Sequence, residues 1–346
     1  MWSFLVGITV KAPKVDAASF GSISQIYVFG DSYSDNGAAL QISTNAVNAG
    51  VPDSTLLPAD PALGLYDVGG RWTNGSTAVE VLARNLQLNL TDYAVGGAKS
   101  GNGNYYTWLD PYQNTGVFGQ IDQYKAGLQG QTADKNALYI IFASANDYFQ
   151  YNDFNQPGTI TQLSAQGVSN IEEDVSKLAA LGAKQFLVVN SLNPAIVPAI
   201  VDENKVDQAT EFRDSFNTLL RSRLNAFSQQ LGVEIAEYDY TGISNLIRSK
   251  PGDYGLINVN DPCQPTFTEI KPACSTPDQY YFWDEYHPTR RIHEIIGEDM
   301  TKFVVSQQVK AVPEPSNVLS LLFTLGVIGT VTRRKRILSG PATINN

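Results

Sequence analysis

Apolar and polar residues alternate along this chain in blocks. Short apolar runs rich in β-branched and aromatic residues predict buried strands at 26–29, 88–95, 137–143, 184–189 and 233–238. Between them apolar residues recur at helical spacing. Val79, Leu82, Ala83 and Leu86 follow a cap at Ser76 or Thr77. Ile171, Val175 and Leu178 share a face within 160–181, and Phe212, Phe216, Leu219, Leu220, Leu224 and Phe227 do so within 208–231. A further helix is predicted over about 289–305. Strand alternating with helix predicts a parallel sheet covered on both faces. Residues 36–70, rich in Gly, Pro, Asn and Asp, read as a long loop that helps wall a site. The glycine-rich segment 101–119, with Tyr105, Tyr106, Trp108 and Tyr112, reads either as a cleft lining or as a surface loop.

Polar clusters fall where the strands end: Gly30-Asp31-Ser32, Gly96-Gly97, Ser144-Ala145-Asn146-Asp147 and Asn190-Ser191. In open α/β sheets that edge is where ligands bind. A chain of 346 residues, 43% apolar, suits one large α/β domain with or without appendages. A net charge of −10 repels phosphate backbones and disfavours nucleic acid as a partner. Only 17% of residues are charged, while Tyr and Gly are abundant, a balance that fits an exported protein. In that setting Cys263 and Cys274 suggest a small-loop disulfide, with two free thiols as the alternative.

Both ends read as separate from the fold. Residues 2–10 are apolar, and Val15-Asp16-Ala17-Ala18 offers small residues for cleavage, so 1–18 is expected to be a signal peptide that begins upstream of Met1. An ordinary N-terminus is the alternative. Near the other end come Val312-Pro313-Glu314-Pro315-Ser316, the apolar stretch 317–331, and Arg333-Arg334-Lys335-Arg336. The stretch is short for a span, which takes about 17–25 residues, and the basic cluster favours the cytoplasmic side. This order of parts resembles the PEP-CTERM sorting signal. It implies an exosortase-type processing partner, export, and retention in the membrane through 317–331 until cleavage. A plain anchor implies nearly the same location. The expected division is 1–18, a catalytic domain at 22–308, a sorting segment at 312–336 and a tail at 337–346.

The chain holds two histidines, His287 and His293. If Ser32 is a nucleophile activated by a base, the choice is narrow. Asp284 precedes His287 by three positions, ahead of Pro288. On a tight turn that spacing lets a carboxylate receive one ring N–H while the other nitrogen faces outward. His293 lies inside the predicted helix and reads as a surface or packing residue. No second His or Cys stands at ligand spacing from His287, which disfavours zinc. Donors for a developing oxyanion are the Ser32 N–H, the N–H of Gly96 or Gly97, and the Asn146 amide.

Taken together these residues resemble the SGNH, or GDSL, hydrolases over about 26–305. Gly30-Asp31-Ser32-Tyr33-Ser34-Asp35 is similar to the family's first block, Tyr93-Ala94-Val95-Gly96-Gly97-Ala98 to the second, Ala145-Asn146-Asp147 to the third, and Asp284 with His287 to the fifth. Gly70-Arg71-Trp72-Thr73-Asn74-Gly75 and the phrase from Phe282 to Thr289 resemble the lipase and phospholipase branch. Asp92 departs from the pattern, since Asn is frequent before the second block.

The resemblance implies an α/β, three-layer α/β/α sandwich, flavodoxin-like, with about five parallel strands. It implies Ser32, Asp284 and His287 as a catalytic triad, and Ser32, Gly97 and Asn146 as the oxyanion hole. It also implies ester hydrolysis without a metal or organic cofactor. Lipid esters and acylated polysaccharide are the expected substrates. Acyl transfer by the same site, or polysaccharide binding by a decayed one, are the rivals.

Overall fold

A computed structural model describes residues 19–267 and 269–310. The signal-peptide and sorting-signal expectations fall on 1–18 and 312–336 and lie outside the described residues.

In chain order the elements are β1 (Ile26–Gly30), α1 (Ala38–Asn48), α2 (Ala78–Leu86), β2 (Leu90–Asp92), α3 (Val117–Gly127), β3 (Leu138–Phe142), α4 (Ala145–Asp153), α5 (Ile160–Leu181) and β4 (Gln185–Val189). Then follow α6 (Pro198–Asp202), α7 (Val206–Leu231), β5 (Glu234–Tyr238), α8 (Tyr240–Ser249), β6 (Asn258–Pro262), β7 (Tyr280–Phe282) and α9 (Arg290–Lys310). Five strands pair in parallel in the order β2-β1-β3-β4-β5, with Ile26 level with Leu90 on one side and Leu138 on the other. β3 and β4 are buried at every position, so helices must cover both faces. α5 packs on α7 and α3, and α2 packs on α9. The core between the layers is dense in rings: Phe29, Tyr139, Phe186, Phe212 and Phe216 are sealed from solvent. This is the α/β sandwich with a five-stranded parallel sheet that the sequence predicts.

The order 2-1-3-4-5 reverses direction at β1, and ligands bind where the strand order reverses. Ser32 follows β1 and Asn146 follows β3, its neighbour, so chain topology alone brings these two segments to one edge.

Several elements depart from the sequence expectation. The 36–70 loop contains α1. Its buried residues are Ala39, Ser43 and Ala46, small side chains in a stretch otherwise rich in turn-forming residues. Its first turn is held by Asp35, whose carboxylate accepts the N–H groups of Gly37, Ala38 and Ala39. The second strand is shorter than 88–95. It keeps strand form only at Leu90–Asp92, although Tyr93 and Val95 still donate to Val28 and Gly30. The polar cluster after β3 is the start of a helix, α4, a further helix, α8, follows β5, and β6 and β7 pair in a small parallel sheet. By contrast α2 opens on the expected cap, a capping box between Thr77 and Glu80.

Candidate active site

The turn after β1 that carries Ser32 is built by close approach. Gly30 lies so near β3 that a Cβ there would sit 2.4 Å from the Phe142 carbonyl oxygen, so the position admits only glycine. Gln120, from α3, clamps the strand end. Its Oε1 accepts the Gly30 N–H and its Nε2 donates to the Gly30 carbonyl, each at 2.8 Å. Asp31 then folds back to accept the Tyr33 N–H at 3.1 Å, an Asx turn that presents Ser32 at the rim. Burial pushes the Asp31 carboxyl up to about 7, against the lowering effects of the Tyr33 N–H and of His287.

Ser32 and His287, 255 positions apart, meet at 2.8 Å between Oγ and Nε2. His287 Nδ1 lies 2.9 Å from Asp284 Oδ1 and 2.8 Å from Oδ2. Asp284 is fully buried, and its Oδ1 also accepts the N–H groups of Tyr286 and His287, so the turn orients both partners. The Ser32 turn and the His287 turn are tied directly, because Tyr33 Oη donates to the Tyr286 carbonyl at 2.8 Å. Gly70-Arg71-Trp72-Thr73-Asn74-Gly75 is a second tie. Thr73 Oγ1 donates to the Pro288 carbonyl, and Asn74 Oδ1 accepts the Arg290 N–H at the start of α9. Trp72 packs 5.2 Å from the His287 ring.

The two glycines of the second block have different duties. Gly96 donates its N–H to Asp35 Oδ2 at 2.7 Å, and a Cβ there would collide with the Trp72 indole. Gly97 has φ +80, the left-handed region, and a Cβ would sit 2.3 Å from Asn104 Oδ1. Neither its N–H nor that of Ser32 has a protein acceptor among the described residues. Asn104 holds this loop, donating to the Gly96 carbonyl and accepting the Tyr106 N–H. Asn146, second residue of α4, donates one amide hydrogen to the Ala98 carbonyl at 3.0 Å and has another to give. Ser32, Gly97, Asn146 and His287 all line one pocket. Its walls are aromatic: Trp72, Tyr105, Tyr106, Phe149, Phe267 and Tyr286.

Asp92, the departure from the family pattern, stands on the edge strand. One of its oxygens accepts the Ala94 N–H at 2.9 Å, and burial raises its carboxyl well above the usual carboxylate range. His293 is a packing residue and not a surface one. It is buried, and its Nδ1 accepts the Ala78 N–H. Of the aromatic segment, Tyr105 and Tyr106 line the pocket, whereas Tyr112 is exposed. Cys263 and Cys274 form a disulfide. Among the described residues no cluster of three or more His, Cys, Asp or Glu could hold a metal ion.

Sequence reasoning does not find Tyr66, whose hydroxyl donates to Asp284 Oδ2 at 2.6 Å, nor Gln120, Asn104 or Phe267. Tyr66 and Gln120 meet their partners across 218 and 90 positions, contacts that no local pattern marks.

The GDSL-like lipase/acylhydrolase family model matches residues 26–300. The thermolabile hemolysin of Vibrio parahaemolyticus is 25% identical over 303 residues, covering 80% of this chain and 63% of the hemolysin, so the match spans less than two thirds of that relative. A GDSL esterase/lipase of Arabidopsis thaliana is 24% identical over 331 residues, 80% of this chain and 86% of the plant protein. The phosphatidylcholine-sterol acyltransferase of Aeromonas hydrophila is 24% identical over 348 residues, 88% of this chain and 95% of that enzyme. With most of its length matched by the family model and the block residues gathered at one strand edge, the chain belongs to the GDSL-like lipase/acylhydrolase family.

Proposed function

We propose that the protein is a serine carboxylic-ester hydrolase that uses Ser32, His287 and Asp284 as a triad and Ser32, Gly97 and Asn146 as oxyanion donors. The observation that carries this reading is the 2.8 Å contact from Ser32 Oγ to His287 Nε2, backed by Asp284 on the other ring nitrogen. His287 Nε2 removes the hydroxyl proton as Oγ attacks the ester carbonyl carbon. The N–H groups of Ser32 and Gly97 and the free Asn146 amide hydrogen receive the oxyanion, and their readiness before reaction lowers the barrier. Collapse breaks the bond to the alcohol, which leaves with the proton from Nε2. Water then attacks the acyl-serine, His287 takes its proton, and Ser32 recovers it as the acid departs.

The aromatic walls support an ester with an apolar acyl chain or a sugar face, that is, a lipid or an acylated polysaccharide. Acyl transfer, with an acceptor alcohol in place of water, is a second reading favoured by the name of the Aeromonas relative. The Cys263–Cys274 disulfide supports an exported protein, and the order Pro-Glu-Pro, apolar stretch, basic cluster supports retention in the membrane until exosortase-type cleavage. Ser32→Ala is expected to abolish nitrophenyl ester turnover and labelling by a fluorophosphonate without changing the melting temperature. Turnover at the wild-type rate would exclude Ser32 as nucleophile. An acyl-chain series run beside acetyl-xylan, with and without alcohol acceptors, separates the substrate classes and hydrolysis from transfer.

A further inference from the structure

Asp284 is sealed from solvent, and such a carboxylate must have all its lone pairs answered. Oδ1 takes two backbone N–H groups of its own turn. Oδ2 faces His287 Nδ1 on one side, and on the other receives a hydroxyl from a distant part of the chain. That hydroxyl is Tyr66 Oη, at 2.6 Å, from the segment between α1 and α2. A hydrogen bond to a charged acceptor of this length is among the stronger ones proteins make.

Tyr66 is itself held. Its ring packs edge-on against Trp72, the residue that also covers His287. Thr266 Oγ1 lies 3.3 Å from Tyr66 Oη and 3.3 Å from Glu285 Oε2. The buried Glu285 carboxylate also accepts the N–H groups of Thr266 and Phe267. Thr266 and Phe267 belong to the loop that the Cys263–Cys274 disulfide closes. Asp284 is thus braced from two sides, by Tyr66 directly and by that loop through Thr266. Burial and the adjoining Asp284 charge both raise the Tyr66 phenol well above its ordinary value, so the hydroxyl keeps its proton and remains a donor.

We propose that Tyr66 is a positioning residue of the triad, fixing the Asp284 carboxylate so that it holds His287 in line with Ser32. The proposal rests on the triad assignment and names a role beyond it. Tyr66 does not line the substrate pocket, so its removal acts on base strength and orientation rather than on binding.

The test compares wild type, Tyr66→Phe, Thr266→Val and Asp284→Asn by two readouts. One is the second-order rate of fluorophosphonate labelling at Ser32, and the other is kcat and KM on a nitrophenyl ester. Tyr66→Phe keeps the ring and its packing. It is expected to lower labelling rate and kcat together by about tenfold, the scale of one hydrogen bond to a charged group, with KM within twofold. Thr266→Val, which leaves the Tyr66 hydroxyl in place, is expected to lower both by about twofold to threefold. Labelling at the wild-type rate in Tyr66→Phe would overturn the proposal, as would a change confined to KM. If Asp284→Asn also labels at the wild-type rate, the triad assignment itself fails, and the two failures are thereby told apart.

Discussion

Asp35 Oδ2 accepts the Gly96 N–H at 2.7 Å, a side-chain bond between the segments 30–35 and 93–98. The same carboxylate accepts three more backbone N–H groups at the start of α1 and the Trp72 indole N–H. With Gly96 committed to Asp35, Gly97 is the glycine left facing the pocket. If Gly97 donates to the oxyanion as proposed, Asp35 positions that donor from outside the pocket.

Asp35→Asn replaces one acceptor oxygen by an NH₂ group that opposes these donors. An unanswered buried donor costs about 1–3 kcal/mol. We expect a loss of about 2–4 kcal/mol in unfolding free energy by urea titration, and a fall in kcat of at least tenfold with KM little changed. Wild-type stability in Asp35→Asn would show that the five donors find other acceptors.

Asn146→Ala removes the proposed oxyanion donor and leaves the Ala98 carbonyl without its partner. The expected fall in kcat is about 10²–10³-fold, with about 1 kcal/mol lost in stability. Steady-state kinetics beside thermal unfolding separates the two effects, and a kcat within threefold of wild type would remove Asn146 from the oxyanion hole.

His293 predicts a pH dependence of stability. Burial, aided by the nearby His287, lowers its folded-state value to about 3 from an ordinary 6.5. Between those values the unfolded chain binds a proton that the native state does not. Stability from this residue is therefore present above 6.5 and lost as pH falls, at about 1.4 kcal/mol per pH unit. Asp31 acts in the opposite sense. Its folded value of about 7 against an ordinary 3.8 means the native state binds the extra proton, and stability declines as pH rises through that window. His293→Gln keeps an acceptor for the Ala78 N–H but cannot charge. Unfolding free energies measured against pH should show the variant gaining on wild type as pH falls below 6.5. Parallel curves would show that His293 does not titrate as burial requires.

Cys263→Ser with Cys274→Ser opens a loop whose ends are 11 positions apart. Loop-closure entropy puts the cost at about 2–3 kcal/mol. Because Phe267 lines the pocket from this loop, KM should also rise. A double variant with unchanged KM and stability would make the loop self-supporting.

The candidate site residues, the five strands of the parallel sheet and the helices α2, α5, α7 and α9 were legible in the sequence by itself. Strand cores such as 137–143 are continuous apolar runs because parallel strands are buried on both faces. Ser32, Asn146, Asp284 and His287 stand out because polar residues at strand ends or on a tight turn break those runs. Two histidines in the whole chain left little choice of base.

What only the tertiary structure decided is how distant segments meet. Helix α1 lies in a stretch rich in Gly, Pro, Asn and Asp that reads as loop, and its buried face is Ala39, Ser43 and Ala46 rather than large apolar side chains. Gly96 gives its N–H to Asp35 across 61 positions, and of the two glycines it is Gly97 that lines the pocket. Tyr66 reaches Asp284 across 218 positions, and Tyr33 reaches Tyr286 across 253. Periodicity encodes burial, which is local to an element. Hydrogen bonds between elements depend on where the folded chain returns, and no local pattern records that.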